Sequence, residues 1–175
     1  WRLVQGQSAI LDYQAGNIDY VKLTSEVIDD YAGKEDVVTS LTGYSWYLSL
    51  NFHNEALANN NIRKAIAYAI NTDELCTSVL KDGSTPLVGI VTKSTTANAD
   101  GKDFRSISGT VVLGYDEAKA KEAFEAGCKE LGVDSVTLEV LYEDADVSKN
   151  CAAYVMNALE KAGFTTEAKC EPKKS

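Results

Sequence analysis

The run from Val136 to Cys170 limits the possible folds more than any other stretch of the chain. Residues 136–142 alternate Val, Leu, Val and Tyr against Thr, Glu and Leu, the two-residue period of a strand with one apolar face. Asp146 or Ser148 can then cap a helix that bears Ala152, Val155, Met156 and Leu159 at helical spacing and stops at Gly163. Phe164 to Cys170 predicts a second strand. A strand, a helix and another strand make a crossover unit, which almost always joins parallel strands in a right-handed sense. The chain is therefore of the α/β class, with a sheet at least partly parallel.

Upstream, the clearest helix lies in NNNIRKAIAYAINTDEL, residues 59–75. Ile62, Ala65, Ile66, Ala69 and Ile70 form one apolar stripe, while Arg63, Lys64 and Tyr68 lie off it. The side chains of Asn59 to Asn61 can accept from the first free amides, and Asn71-Thr72-Asp73 offers a second cap. The reading is helix, short break, then a second helix to about Leu80. Another helix is capped by Tyr115-Asp116, carries Ala120, Ala123, Phe124, Gly127, Cys128 and Leu131 on one stripe, and ends before Gly132.

The N-terminal part is less regular. SAILDYQAG, with a possible Ser8 cap, predicts a helix that stops at Gly16, and NIDYVKL after it predicts a strand. Thr24 to Ala32 is a short helix candidate. From Tyr44 to His53 the alternation is strict, with Tyr44, Trp46, Leu48, Leu50 and Phe52 on one face and Ser45, Tyr47, Ser49, Asn51 and His53 on the other. One face is expected to meet a core and the other solvent or ligand. Residues 81–114 are rich in Gly, Ser, Thr, Asp and Asn, without a sustained period. A loop of that length inside a compact domain calls for a functional reason.

Tyr47, Leu48 and Asn51, followed by Asn59, Ile62, Arg63, Ala65, Ile66, Ala69, Ile70 and Asn71, resemble the central motif of the extracellular solute-binding proteins of family 5, the peptide and nickel receptors of ABC importers. Two positions depart from the pattern. Asn59 and Asn71 stand where the family usually has Asp, which keeps the capping oxygen and gives up a small helix-dipole contribution. Ala15, Gly16, Ile18 and Asp19 match an earlier segment of the family, the Leu80, Gly83, Pro86 and Gly89 spacing is similar to its irregular excursion, and residues 115–132 resemble a further helix.

The resemblance implies an incomplete periplasmic-binding-protein-like (type II) lobe with βαβ units and a mixed sheet. It implies a boundary near Gly43, with residues 1–43 a remnant of the first lobe and 44–175 part of the second. The chain begins at Trp1, and the family's members are much longer, so an internal piece with its export signal elsewhere is expected. The family implies capture of extracellular oligopeptides or dipeptides by hinge closure and delivery to permease subunits. Its location would be extracellular, either lipid-anchored at the cell surface or periplasmic. A nickel chelate, haem or another small solute is the alternative cargo, and a secreted hydrolase or adhesin domain is the alternative of another class.

Site residues follow from the same comparison. Family members draw ligand contacts from the strand just past the hinge, which carries over to Tyr47 with Tyr44 or Trp46; Tyr44 and Trp46 also suit a core position, being in phase with Leu48 and Leu50. Ser148 falls where some peptide receptors place a cleft residue, at a helix N-terminus able to hold a carboxylate. The aspartate with which such receptors fix a ligand's amino group is expected downstream of these residues.

The remaining residue types suggest little else. A net charge of -9 repels phosphate and argues against nucleic acid or an anionic membrane as partner. No apolar run reaches the roughly 18 residues of a membrane span, so membrane contact would come only through a lipid anchor outside these residues. Cys76, Cys128, Cys151 and Cys170 lack metal-ligand spacing; they read as free or half-buried thiols, with a bridge from Cys128 or Cys151 to Cys170 as the other possibility. His53, the single histidine, has no nucleophile motif around it. Glu139, Glu143, Asp144 and Asp146 read as a solvated loop and cap, and DGSTPLVG lacks the Lys-Ser/Thr of a phosphate loop. No catalytic, metal or cofactor site is expected.

Overall fold

The computed structural model describes residues 8–40 and 42–172. Its helices begin and end where local chemistry places them. Helix α1 (Ser8–Gln14) is followed by Gly16 at φ +72°, the left-handed turn that glycine adopts without strain. The Ser8 side chain, expected as a cap, lies outside what is described. Asn54 Oδ1 accepts from the Ala56 and Leu57 amides to start α2 (Glu55–Ala58). Asn59 Oδ1 accepts from Asn61 at 2.8 Å and Ile62 at 3.1 Å to start α3 (Asn60–Ala69). Asn71 Oδ1 accepts from the Glu74 amide at 3.2 Å, opening α4 (Thr72–Glu74), which continues as a π turn over Leu75–Leu80. Helix, break and second helix thus stand as the sequence indicates.

Helix α5 (Phe104–Ser108) interrupts the long loop, and α6 (Glu117–Leu131) runs from its Asp116 cap to Gly132 at φ +70°. The C-terminal unit comprises β1 (Thr137–Glu143), α7 (Asp146–Ala162) and β2 (Thr165–Glu171). The two strands pair in parallel, from Thr137 opposite Thr165 to Glu143 opposite Glu171. Among the described residues the sheet has these two strands alone, so the expected mixed sheet is not formed by them. None of the described helices is long and apolar enough to cross a membrane.

One core lies between α3, α6, α7 and the sheet. Ile62 and Ala65 are wholly buried, facing Ala120 and Phe124 of α6 and Leu159 of α7. Gly127 is what lets α3 and α6 meet: a Cβ there would fall 2.6 Å from Ile62 Cδ1 and 3.1 Å from the Ile62 amide nitrogen. The Phe124 and Phe164 rings meet edge to face with centroids 4.6 Å apart, closing the end of the core beneath the β2 entry.

Other expectations fail. Residues 17–23 and 44–53 form no strands, although both alternate; alternation shows which side chains share a face, while a strand needs a partner backbone, and neither run has one among the described residues. Trp46 and Tyr44 are exposed rather than core, and of their face only Leu50 packs against the buried cluster. Thr24–Ala32 shrinks to one 3-10 turn, Ile28–Tyr31, in which Tyr31 alone is buried. Neither Asp146 nor Ser148 caps α7: its N-cap is Ala145, which makes no side-chain bond, and both residues lie within the first turn.

Candidate ligand-binding site

The run from Tyr44 leads into a turn at 52–53 and is anchored near both ends, with Leu50 against the core. At the far end Asn51 Oδ1 accepts from the His53 amide at 3.1 Å, and the Arg63 guanidinium lies over the Phe52 ring, 4.7 Å from its centroid. At the near end Ser45 Oγ donates to the Ile90 carbonyl at 3.3 Å, tying the run to the long loop. Tyr44, Trp46 and Tyr47 are 79%, 87% and 70% exposed. All three are open to solvent, so the run offers aromatic surface.

The loop it touches is held by one side chain that sequence reasoning did not single out. Arg105, on α5, is only 8% exposed although it is charged. Its Nε and Nη2 donate to the Val91 carbonyl at 2.9 and 2.7 Å, and Nη1 donates to the Gly109 carbonyl at 2.8 Å and Ser108 Oγ at 3.1 Å. A planar fork of donors can gather carbonyls from two chain segments in this way, where an ammonium could not. Asp103 fixes the position of α5, since one of its oxygens accepts from Ser106 N at 3.1 Å and the other from Ser94 N at 2.6 Å. The Val111 amide donates to the Val88 carbonyl at 2.8 Å, closing the base of the excursion. Asp103, a residue type favoured at a helix N-cap, is the signal that could have revealed α5.

The connection runs from Arg105 to Val91, from adjoining Ile90 to Ser45, and so to the aromatic run. Ile90 and Val111 are themselves exposed, which extends that surface with apolar side chains. Such a surface can cover a ligand and contribute hydrogen bonds from tyrosine and tryptophan ends. Ser148 belongs elsewhere, to the first turn of α7 beyond the C-terminal end of β1, and is half-buried. Asp146 opens that turn, and Asp144 is ion-paired with Lys149, whose pKa the Asp144 carboxylate raises. With two carboxylates at this end, Ser148 offers a hydroxyl rather than an anion site.

Several other perturbed groups belong to local pairs, while burial raises the thiols of Cys76, Cys128 and Cys151. The Lys119 ammonium, with the amide that Asp116 caps, holds Asp116 below the usual carboxylate range, and a hydrogen bond from Tyr13 does the same for Asp36. Burial and then the Glu74 carboxylate push the Tyr154 phenol up. The described residues contain no group of His, Cys, Asp and Glu arranged to hold a metal.

The sequence profile of the bacterial extracellular solute-binding proteins, family 5, middle region, matches residues 1–175. The chain belongs to this family. Among relatives of this solute-binding family, the dipeptide-binding protein DppE of Bacillus subtilis is 27% identical over 165 residues, which make up 93% of this chain and 30% of that protein. The structure of Listeria monocytogenes OppA bound to peptide is similar, with a TM-score of 0.81 and 28% identity over 94% of this chain and 33% of that one. The pheromone receptor PrgZ gives the same TM-score of 0.81 at 27% identity, over 94% and 33% of the two chains. The chain thus spans about a third of the length of these relatives. Its fold is that of a type II periplasmic-binding-protein-like lobe in part, as the βαβ unit and the small parallel sheet indicate.

Proposed function

We propose that these residues are part of the substrate-binding component of an ABC importer, which captures an oligopeptide or dipeptide between two lobes and delivers it to permease subunits. In this reading residues 1–43 belong to the first lobe and 44–175 to the second, and the hinge lies near Gly43. The protein works outside the cytoplasmic membrane, in the periplasm or held at the cell surface by a lipid anchor beyond these residues. Binding and release are the whole of its action, with no covalent step.

The observation that carries this reading is the exposed Tyr44–Tyr47 run held against the Arg105 loop, in a chain whose relatives include a dipeptide-binding protein and a peptide-bound receptor. An exposed run of rigid aromatics loses little conformational entropy when a ligand covers it, and it tolerates variable side chains. We assign Tyr47 as the principal ligand contact, Tyr44 and Trp46 as its neighbours, and Ser148, apart from that run on the first turn of α7, as a separate hydroxyl contact. The test is native mass spectrometry of the full-length protein purified without denaturation from a peptide-rich medium. A ladder of released peptides of mixed sequence supports the reading, while a single defined metal complex or sugar would overturn it.

A further inference from the structure

The aromatic run is held unequally along its length. Leu50 packs against the buried cluster, so the far end shares the rigidity of the core. Toward Tyr44 the tie is a side-chain hydrogen bond, in which Ser45 Oγ donates to the Ile90 carbonyl at 3.3 Å. What that bond can do depends on how firmly Ile90 is held. Among the described residues none from 71 to 119 packs in the core cluster, so the loop that carries Ile90 draws no rigidity from it.

Arg105 supplies the rigidity instead, on both sides of Ile90. After it in the chain, Nε and Nη2 both donate to the Val91 carbonyl, at 2.9 and 2.7 Å. Before it, buried Gly89 lies directly against the guanidinium: a Cβ there would fall 2.6 Å from Cζ, closer than packed side chains come. A residue has two soft backbone dihedrals, so with both neighbours held by one planar group the Ile90 carbonyl has little freedom to turn. Nη1 carries the hold across to the end of α5, donating to the Gly109 carbonyl at 2.8 Å and to Ser108 Oγ at 3.1 Å. The Val111 amide, bonded to the Val88 carbonyl, pins the same segment from the other direction.

We infer that Arg105 and Ser45 are positioning residues for ligand binding, which together hold the Tyr44–Tyr47 segment in the arrangement that meets a peptide. The inference rests on the reading of that run as ligand-facing surface. Neither residue has to touch the ligand. Arg105 is buried among backbone carbonyls and orients Ile90, and Ser45 passes that order to the aromatic residues on either side of it. The run is then pre-organised, and binding does not have to order it. Cutting either link lets the free segment sample other conformations, and the apparent affinity falls with the fraction that stays competent.

The test is a double-mutant cycle on the affinity of the full-length protein for one defined peptide, measured by calorimetry at a temperature where the variants are folded. Ser45→Ala removes the hydroxyl without touching the brace and should weaken binding about threefold, the scale of one exposed hydrogen bond. Ser45→Thr keeps a hydroxyl and should bind as the parent does. Arg105→Met should weaken binding at least as much as Ser45→Ala, and most of its effect should vanish in the Ser45→Ala background, where the link is already cut. The Ser45 pair decides the matter even where Arg105→Met is too unstable to titrate. Full affinity in Ser45→Ala, an equal loss in Ser45→Thr, or losses that multiply in the double variant would overturn the inference. Tyr47→Ala separates it from the reading on which it rests. If Tyr47→Ala weakens binding and Ser45→Ala does not, the inference alone fails; if Tyr47→Ala is silent, the run is not ligand surface and the inference falls with that reading.

Discussion

Replacing Arg105 by Met removes the fork while keeping an unbranched stem of similar reach. The carbonyls of Val91 and Gly109 then lose their donors, and each unpaired, part-buried acceptor costs about 1–3 kcal/mol. Because the loop can partly open to water, the low end applies, and we expect a loss of about 2–3 kcal/mol. Lys at this position keeps the charge but can reach only one of the two segments, so Arg105→Lys should recover about half. Gly89 supplies an internal control. A Cβ there would run into Nη1, Nη2 and Cζ of Arg105, and such overpacking costs about 1–3 kcal/mol. Gly89→Ala should therefore destabilise the protein when Arg105 is present and be nearly silent when it is Met. That is a coupling of about 1–2 kcal/mol in a double-mutant cycle. Urea unfolding of the four proteins measures the cycle, and hydrogen exchange of the Val111 amide, bonded to Val88, reports whether the loss is local. Additive effects of the two substitutions, or an Arg105→Met variant within about 0.5 kcal/mol of the parent, would refute the brace.

Other perturbations address the core, a cap and the response to acid. Gly127→Ala should lower global stability by about 1–3 kcal/mol in denaturant titration, since the added methyl meets Ile62 and its backbone nitrogen. Asn59→Asp, which restores the residue usual in the family, should fail to stabilise at neutral pH. Asn59 Nδ2 donates to Glu130 Oε2 at 2.8 Å, and an aspartate would set two carboxylates together there; a Glu130→Gln background should restore the gain. Asp116 has a folded pKa below its ordinary value, so its contribution is present above the ordinary carboxylate range and is lost as pH falls through the depressed one. Melting temperature should thus fall on acidification, and Asp116→Asn should flatten that fall.

The residues that were legible in the sequence are those whose structure is decided by near neighbours. Asn59, Asn71 and Asp116 cap the helices they were expected to cap, and Gly132 and Gly163 end helices in the left-handed region. The change of period from two to helical and back marks the βαβ unit, because the same apolar stripes then meet in the core. The misread segments depend on distant partners. Tyr44–His53 alternates like a strand, yet nothing in its own sequence says whether another backbone lies alongside. Arg105 is a single charge in a loop without a period, and its burial follows only once Val91 and Gly109 have been folded around it. The Asn59 substitution makes the same point: it resembles a lost charge until Glu130, far along the chain, is seen to accept its amide.

The claim that Tyr44–Tyr47 forms ligand-facing surface is tested most directly by hydrogen exchange of the full-length protein with and without a saturating defined peptide. The account predicts slower exchange of the amides from Tyr44 to Leu48 in the complex. It also predicts that Tyr47→Ala weakens peptide affinity about tenfold while leaving the unfolding midpoint unchanged. Peptide that binds with no change in this segment, and with its affinity unaffected by Tyr47→Ala, would contradict it.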